Sequence, residues 1–411
     1  MIERSVDVAI IGAGPAGLAA AVSAKENGAK DVLLLDRNSW LGGILPQCIH
    51  DGFGVEETGT SMTGPEYADM YIKDIKKHGV DVWNETMVLE LKKKREIIAV
   101  NKKGLHKIKA KSIILAMGCR EKTRWNVLIP GDRPSGIFTA GVAQAFINLY
   151  NTLPGKNVVI LGSGDVGLIM ARRLKFEGAN VLGVVEILPY TSGLPRNVAQ
   201  CLDDYDIPMF LNHTITYIKG RERLESVTIA QVDSSMNPIS GSEKELKCDT
   251  LLISLGLIPE NELSKGAEIE IDSVNGGPVV DQDYMTSMPG VFACGNCLQV
   301  YDTVDALAIG AKHAGKYAVD WESKSDGIAV KTGKNVKYVV PQKITKNGTT
   351  RFTLRVEKPM QNVTFCVEAG SSEIFKEKLR FVNPANMVEV DVEISEELIN
   401  SKKDLEVSIG V

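Results

Sequence analysis

The chain has 411 residues, of which 44% are hydrophobic and 24% charged, with a net charge of −5. That length exceeds one hydrophobic core, so two or three domains are expected, and the composition is that of an ordinary globular protein. The mild negative charge excludes a nucleic-acid or anionic-membrane surface as the main business.

Gly is in surplus, with 38 residues, or about 9% against a usual ~7%. Seven Cys, an odd number, with no leader visible after Met1, read as the reduced thiols of a cytoplasmic protein. The longest uncharged run, residues 8–24, is short for a membrane span.

Residues 6–11 (VDVAII) are a short, β-branched apolar run, the pattern of a strand buried on both faces. GAGPAG follows at 12–17, then a helical stretch over 18–27 that Gly28 can end. Residues 31–35 form a second apolar run closed by Asp36. This is a complete βαβ unit, with G-x-G-x-x-G at its first turn and an acid at the end of its second strand. Residues 66–77 read as a helix. Short strands are expected at 80–83, 87–91, 97–101 and 105–109, and a buried strand over 113–116 runs into Ala116-Met117-Gly118.

The opening pattern then recurs. Residues 157–161 form a strand, GSGDVG occupies 162–167, and a helix over 168–177 is stopped by Gly178. A strand over 181–185 is closed by Glu186. In both units the acid follows the first glycine by 24 residues. Residues 224–232 are strand-like, and a buried strand over 250–255 ends at Gly256. GVFACGN (290–296) and a helix over about 304–321 come next. The polar stretch 322–334 reads as a linker. From Asn335 the runs VKYVVP, RFTLRV, NVTFCV, VEVDVEI and LEVSIGV indicate a small β domain.

A lone G-x-G-x-x-G arises by chance in glycine-rich turns; two copies in the same strand–turn–helix–strand–acid setting point to two dinucleotide sites. In such a loop the first glycine allows the tight turn, the second lets the backbone approach a pyrophosphate, and the third lets helix and strand pack closely. The helix N-terminus offers N–H groups and a positive dipole end. The acid accepts from a ribose hydroxyl.

With these motifs in place the chain resembles the two-dinucleotide flavoproteins of the pyridine nucleotide–disulfide oxidoreductase-like family. The resemblance rests on GAGPAG, Ala116-Met117-Gly118, the second glycine loop, Gly256 to Pro259, and the stretch from Thr286 to Asn296. It spans roughly residues 5–322 and implies FAD on the first unit and NAD(H) on the second. Expected FAD contacts are Gly12, Gly14, Pro15, Ala16, Gly17, Asp36, Arg37, Gly42, Gly43, Ala116, Gly118, Gly295 and Asn296. The family usually has Asp where Asn296 stands. The helix from Val304 is expected to aim its N-terminus at the flavin pyrimidine edge.

Expected NAD(H) contacts are Gly162, Gly164, Gly167, Glu186 and Gly256. Asp165 beside a diphosphate is unusual and slightly repulsive. Glu186 favours a 2′-hydroxyl over a 2′-phosphate, so NADH is expected over NADPH. The implied fold is α/β: two Rossmann-like βαβ domains, the NAD domain inserted into the FAD domain, plus a small C-terminal β domain. The boundaries are 1–119 and 286–325 for FAD, 120–285 for NAD(H) and 335–411 for the β domain.

The family's disulfide reductases carry a redox cysteine pair. One branch has C-x4-C after the glycine pair, where this chain has Cys48 alone; another has C-x-x-C in the nicotinamide domain, where residues 120–247 hold only Cys201. Dithiol chemistry is therefore poorly supported. Cys48 is read either as a lone redox thiol or as a small packed residue, and His50 either as a flavin-tuning group or as a surface histidine. Cys294 and Cys297 have C-x-x-C spacing but lie inside the flavin-contact motif, which favours packing over a redox or metal role. No metal is expected.

The stretches GGILPQCIHDGFG (42–54), Thr63 to Tyr67 and Phe138 to Gln144 are similar, more narrowly, to FAD subunits that accompany anaerobic glycerol-3-phosphate dehydrogenase-like flavoproteins. Opine-oxidase and hydrogen-cyanide-synthase FAD subunits resemble the chain more distantly. The expected function is an FAD-dependent oxidoreductase exchanging hydride with NAD(H) and electrons with a partner dehydrogenase subunit. The alternatives are a stand-alone NADH oxidase or thiol-dependent reductase using Cys48, and an FAD-binding electron-transfer or structural subunit without nicotinamide activity.

Overall fold

A computed structural model describes residues 1–322 and 327–410. The chain divides into two compact units, one of residues 1–119 with 259–411 and one of residues 120–258.

In the first unit Asp81–Trp83, Val32–Leu35, Ile2–Ile11 and Gly104–Leu115 form neighbouring parallel strands, and Val291–Ala293 pairs in parallel on Gly104–Leu115. Glu96–Asn101 and Met87–Lys92 extend the sheet antiparallel. Val32–Leu35 is fully buried, as its unbroken VLLL requires of a central parallel strand. Helix Pro15–Glu26 opens on a proline, whose missing N–H costs nothing at a first helical position. Its buried Ala and Gly residues let it lie close to the sheet, and Gly28, at φ +101°, ends it.

The two strands expected at 105–109 and 113–116 are one strand, Gly104–Leu115. Its first half is held on both sides, by Ile2–Ile11 and by Glu96–Asn101, so Lys109 and Lys111 do not interrupt it. The helix expected to reach 321 ends at Tyr317.

The second unit has an all-parallel sheet in the order Met209–Phe210, Asn180–Val185, Asn157–Leu161, Thr250–Ile253, Ile137–Thr139. Helix Asp165–Phe176 buries Leu168, Met170, Ala171 and Leu174. An antiparallel ribbon of His213–Gly220, Leu224–Gln231 and Lys244–Lys247 completes the unit. The unit ends at residue 258, whereas 285 was expected. Residues 259–285 stay with the first unit because Ala267, Ile269, Val280, Tyr284 and Met285 bury themselves in its core.

The C-terminal residues form a five-stranded and a three-stranded sheet around a separate apolar core. Val388–Ile394 (VEVDVEI) alternates buried and exposed at every step, the period of a half-buried strand. The expected linker is corrected in part: Ile328–Thr332 is a strand, parallel to Leu405–Gly410, while 323–326 lie outside the described residues. Its flanking Gly327 and Gly333 and its exposed Lys331 and Thr332 give it a linker's composition. Within the first unit these sheets meet the α/β part through Tyr338 and Val340, buried in its apolar core, and through polar contacts. Gln299 Nε2 donates to Thr353 Oγ1 at 2.7 Å, Gln342 Nε2 to Asp272 at 3.0 Å, and the Met387 N–H to Asp302 at 2.6 Å.

Candidate dinucleotide sites

The glycine loops are built alike, bond by bond. In the first, the Gly12 N–H donates to Leu35 O at 2.8 Å, Ala116 N to Ile11 O at 2.9 Å, and Leu18 N to Gly14 O at 3.0 Å. In the second, Gly162 N donates to Val185 O at 2.7 Å, Ser254 N to Leu161 O at 2.7 Å, and Leu168 N to Gly164 O at 3.1 Å. A Cβ on Gly12 would lie 2.3 Å from Ala116 O, and one on Gly162 2.1 Å from Ser254 O. Both sit at positive φ, so only glycine fits. On Gly17 a Cβ would lie 1.8 Å from Gly12 O, and on Gly167 2.7 Å from Ser254 Oγ.

The acids do the same job in each unit. Asp36 accepts from Ala13 N at 2.7 Å and from Asn38 N at 2.8 Å. Glu186 accepts from Ser163 N at 2.9 Å and from Leu188 N at 3.0 Å. Each carboxylate thus ties the end of the second strand to the middle residue of G-x-G. Both acids are buried, Asp36 at 8% exposure and Glu186 at 4%.

A further correspondence was missed in the sequence. Gly193 follows Gly162 by 31 residues, as Gly43 follows Gly12. Gly43 closes on the first loop, where its Cβ would lie 2.9 Å from Gly14 Cα; Gly193 closes on the second, 2.8 Å from Ser163 O. Gly42 N donates to Ala13 O at 2.8 Å, and Ser192 N to Ser163 Oγ at 2.8 Å. A search for equal offsets past the acid would have found this pair.

The residues fit a dinucleotide in both units. Among the described residues the N-cap residue of neither helix, Pro15–Glu26 or Asp165–Phe176, caps with its side chain; first-turn N–H groups of the first remain for an anion, while in the second Gly167 N already donates to Ser254 Oγ at 3.1 Å. Pro15 and buried Ala16 open the first helix, and Arg37 is exposed beside Asp36. Asp165 is turned aside, accepting from Leu194 N at 2.8 Å and Asn197 Nδ2 at 2.7 Å. Gly118 O accepts from Glu260 N, and Gly256 O from Lys122 N, both at 3.0 Å. Gly295, at φ +68°, lets the GVFACGN segment approach the first helix, because a Cβ there would lie 2.6 Å from Ala16 Cβ. Asn296 Oδ1 accepts from Tyr301 N at 3.1 Å, and its Nδ2 donates to Cys119 Sγ at 3.5 Å.

Cys48 and His50 lie on a loop held from below. Gly64 N donates to Cys48 O at 2.8 Å, and a Cβ on Gly64 would lie 2.6 Å from that oxygen. Thr63 and Glu66 form a capping box at the start of helix Gly64–Lys77. The loop's deeper anchor, Glu57, was not singled out from sequence. It accepts from Tyr67 and Tyr71 hydroxyls at 2.5 Å each and from Lys312. Burial alone would raise its pKa, but those three hydrogen bonds outweigh it and hold the carboxyl below its ordinary value. Asp305, at the start of helix Val304–Tyr317, accepts from Gly54 N at 3.2 Å and Glu57 N at 3.1 Å. The His50 ring lies 5.0 Å from Phe53.

All seven cysteines are free, none bonded to another. Burial pushes Cys48 up to about 12, so at neutral pH it stays protonated. Cys294 and Cys297 are fully buried with raised pKa, and Cys297 Sγ donates to Leu115 O at 3.1 Å. This is the environment of packed thiols. A separate cleft of about 430 Å³ lies between helix Val304–Tyr317 and the C-terminal strands. Of its charged side chains, Arg351 pairs with Asp391 at 2.8 Å and Lys312 with Glu57.

A family model described as pyridine nucleotide-disulphide oxidoreductase matches residues 6–315. The chain belongs to this family. The family uses FAD and NAD(P)H, and its members related to this chain are oxidoreductases. NADH dehydrogenase of Bacillus subtilis (strain 168) is 27% identical over 302 residues, covering 72% of this chain and 54% of that protein. An opine oxidase subunit of Agrobacterium tumefaciens (strain Ach5) is 25% identical over 312 residues, covering 71% and 61%. The chain therefore spans less than two thirds of either relative. Thioredoxin reductase of T. acidophilum superposes with a TM-score of 0.63 at 24% identity, over 77% of this chain and 98% of that one. That likeness is one of fold. No helix among the described residues is long and apolar enough to cross a membrane.

Proposed function

We propose that this chain is an FAD-dependent oxidoreductase that passes hydride between NAD(H) and its flavin and relays electrons to or from a partner dehydrogenase subunit. The observation that carries the reading is the duplicated bond from acid to glycine loop, Asp36 to Ala13 and Glu186 to Ser163. When bound, the flavin and nicotinamide supply the hydride chemistry. The chain's residues bind and orient. Gly12, Gly14, Gly17, Asp36, Gly42 and Gly43 hold FAD, bordered by Ala116, Gly118, Gly295 and Asn296. Gly162, Gly164, Gly167, Glu186 and Gly256 hold NAD(H). The Glu186 charge disfavours a 2′-phosphate, which selects NADH.

The opine oxidase relative is, by its name, one part of a larger enzyme. That kinship favours a partner subunit; the choice of a glycerol-3-phosphate dehydrogenase-like one rests on the stretches 42–54, 63–67 and 138–144 alone. Seven cysteines without a disulfide fit a reducing, cytoplasmic setting.

Mixing the flavin-loaded protein anaerobically with NADH tests the reading. Bleaching of the flavin absorbance, with a KM lower for NADH than for NADPH, is expected; flavin that stays oxidised refutes it. Cys48→Ser should reduce at the wild-type rate, since a protonated thiol has no part in hydride transfer. A loss beyond about tenfold would restore the thiol-dependent alternative.

A further inference from the structure

Three serines distinguish the second glycine loop from the first. Ser163 stands where the first loop has Ala13, Ser192 where it has Gly42, and Ser254 where it has Ala116. Each hydroxyl is spent on the site itself. Ser163 Oγ donates to Glu186 Oε2 at 2.6 Å, and Ser192 Oγ to the same oxygen at 3.2 Å. With the Ser163 N–H, that one carboxylate oxygen accepts three bonds. Ser254 Oγ accepts from Gly167 N at 3.1 Å, in the first turn of the phosphate-facing helix. In the first loop the corresponding residues carry no hydroxyl, and among the described residues Asp36 accepts only the two N–H bonds, from Ala13 and Asn38, that Glu186 also has from Ser163 and Leu188.

A carboxylate oxygen has about two favoured acceptor directions. Glu186 Oε2 is therefore full, whereas Oε1 accepts from Leu188 N alone among the described residues; a ribose hydroxyl that takes Oε2 must displace a serine. The two hydroxyls differ in how readily they yield. Ser163 is fully buried and its bond is short; Ser192 is exposed and its bond is longer. The stretch of chain that carries Ser192 is pinned next to the loop by Leu194 N and Asn197 on Asp165.

We propose that Ser163, Ser192 and Ser254 set the affinity of the second site by standing in for the dinucleotide. They satisfy the Oε2 side of the acid and a helix N–H while the site is empty, and a ligand that uses either must compete with them. Ser192 is the hydroxyl exchanged on binding. The second loop thereby releases its dinucleotide readily, as a site that turns over a diffusing cofactor must, while the first leaves its acid open to a resident one. This rests on the second loop being the NAD(H) site.

The test uses the flavin-loaded protein and replaces each serine with alanine, the residue that Ala13 and Ala116 already supply in the first loop. NADH affinity is read by anaerobic equilibrium titration, and NADH release by stopped flow. Ser163→Ala and Ser192→Ala are each expected to lower the NADH Kd about three- to tenfold, the worth of one net hydrogen bond, through slower release. Ser254→Ala, which leaves Glu186 untouched, should lower it by less than either. The flavin content is expected to stay at the wild-type level in all three.

A Kd that is unchanged or higher in Ser192→Ala overturns the proposal. Ser192→Ala is decisive should Ser163→Ala fail to fold, because its side chain is exposed. Wild-type protein that neither binds nor is reduced by NADH would instead refute the functional reading on which the proposal rests, so the two failures are distinguishable.

Discussion

Ala13, Gly42 and Ala116 in the first glycine loop face Ser163, Ser192 and Ser254 at the same places in the second. The backbone bonds at the loop glycines and at Ala116 and Ser254 are the same to within a few tenths of an ångström, whereas Gly42 N donates to a carbonyl and Ser192 N to a serine hydroxyl. The comparison separates two demands that one motif meets. Close approach of a backbone to a pyrophosphate fixes the glycines, and both loops obey it. How a site behaves when its ligand leaves is a matter of side chains, and there the loops part. An open acid favours a ligand that stays; an acid already served by hydroxyls favours one that exchanges.

The sharpest way to break this comparison is to substitute the third glycine in each loop. Gly17→Ala drives a methyl to 1.8 Å from a backbone carbonyl, whereas Gly167→Ala meets a serine hydroxyl at 2.7 Å as its nearest neighbour. The first should cost more than about 3 kcal/mol and leave the purified protein without flavin; the second should cost about 1–2 kcal/mol. Denaturant midpoints and flavin content measure both. Equal losses would mean that the two loops are under the same constraint.

Removing the charge from the second acid gives a smaller effect. Glu186→Gln keeps most of its hydrogen bonds but no longer repels a 2′-phosphate. The NADH-to-NADPH ratio of kcat/KM should fall about five- to tenfold, the worth of one charge pair at the protein surface. Asp36→Asn, its counterpart, should lower flavin content instead.

The smallest effect concerns the loop that carries Cys48 and His50, which has no counterpart in the second unit. Glu57 has a folded pKa below its unfolded value, so its stabilisation is complete above the unfolded value of about 4.3 and is lost as pH falls through the lower folded one. Glu57→Gln should cost roughly 1–2 kcal/mol at pH 7 and little or nothing at the acid end of that window. Thermal unfolding across pH 3–7 shows it; a difference that does not shrink on acidification would detach Glu57 from the loop's stability.

Much of the fold was legible because it rests on local signals. The strand–loop–helix–strand–acid order shows in spacing, and Gly28 and Gly178 end helices at positive φ as their type allows. What escaped depended on partners distant in sequence. Residues 259–285 join the first unit through a core that no local pattern displays. Ile328–Thr332 is a strand because Lys343–Ile344 pairs with its start and Leu405–Gly410, more than 70 residues on, with its end. At the site, the glycines and acids were readable. The grip of Lys312 on Glu57 spans 255 residues and was not. Asp165, expected to repel a diphosphate, points at Leu194 and Asn197, a direction its position in the motif does not encode.

The insertion of the second unit also dictates an order of events during synthesis. Residues 120–258 are contiguous, and every strand of their parallel sheet has emerged once Thr250–Ile253 is made. The first unit must wait, because Val291–Ala293 supplies a strand on Gly104–Leu115 and helix Val304–Tyr317 covers helix Pro15–Glu26. The part of the chain made first is therefore completed last, the reverse of the usual N-to-C progression of domains. A fragment of residues 120–258 should resist limited proteolysis by itself, while residues 1–119 alone should be digested. Until the ribosome has passed the helix that ends at Tyr317, the first glycine loop lacks part of the frame that shapes it.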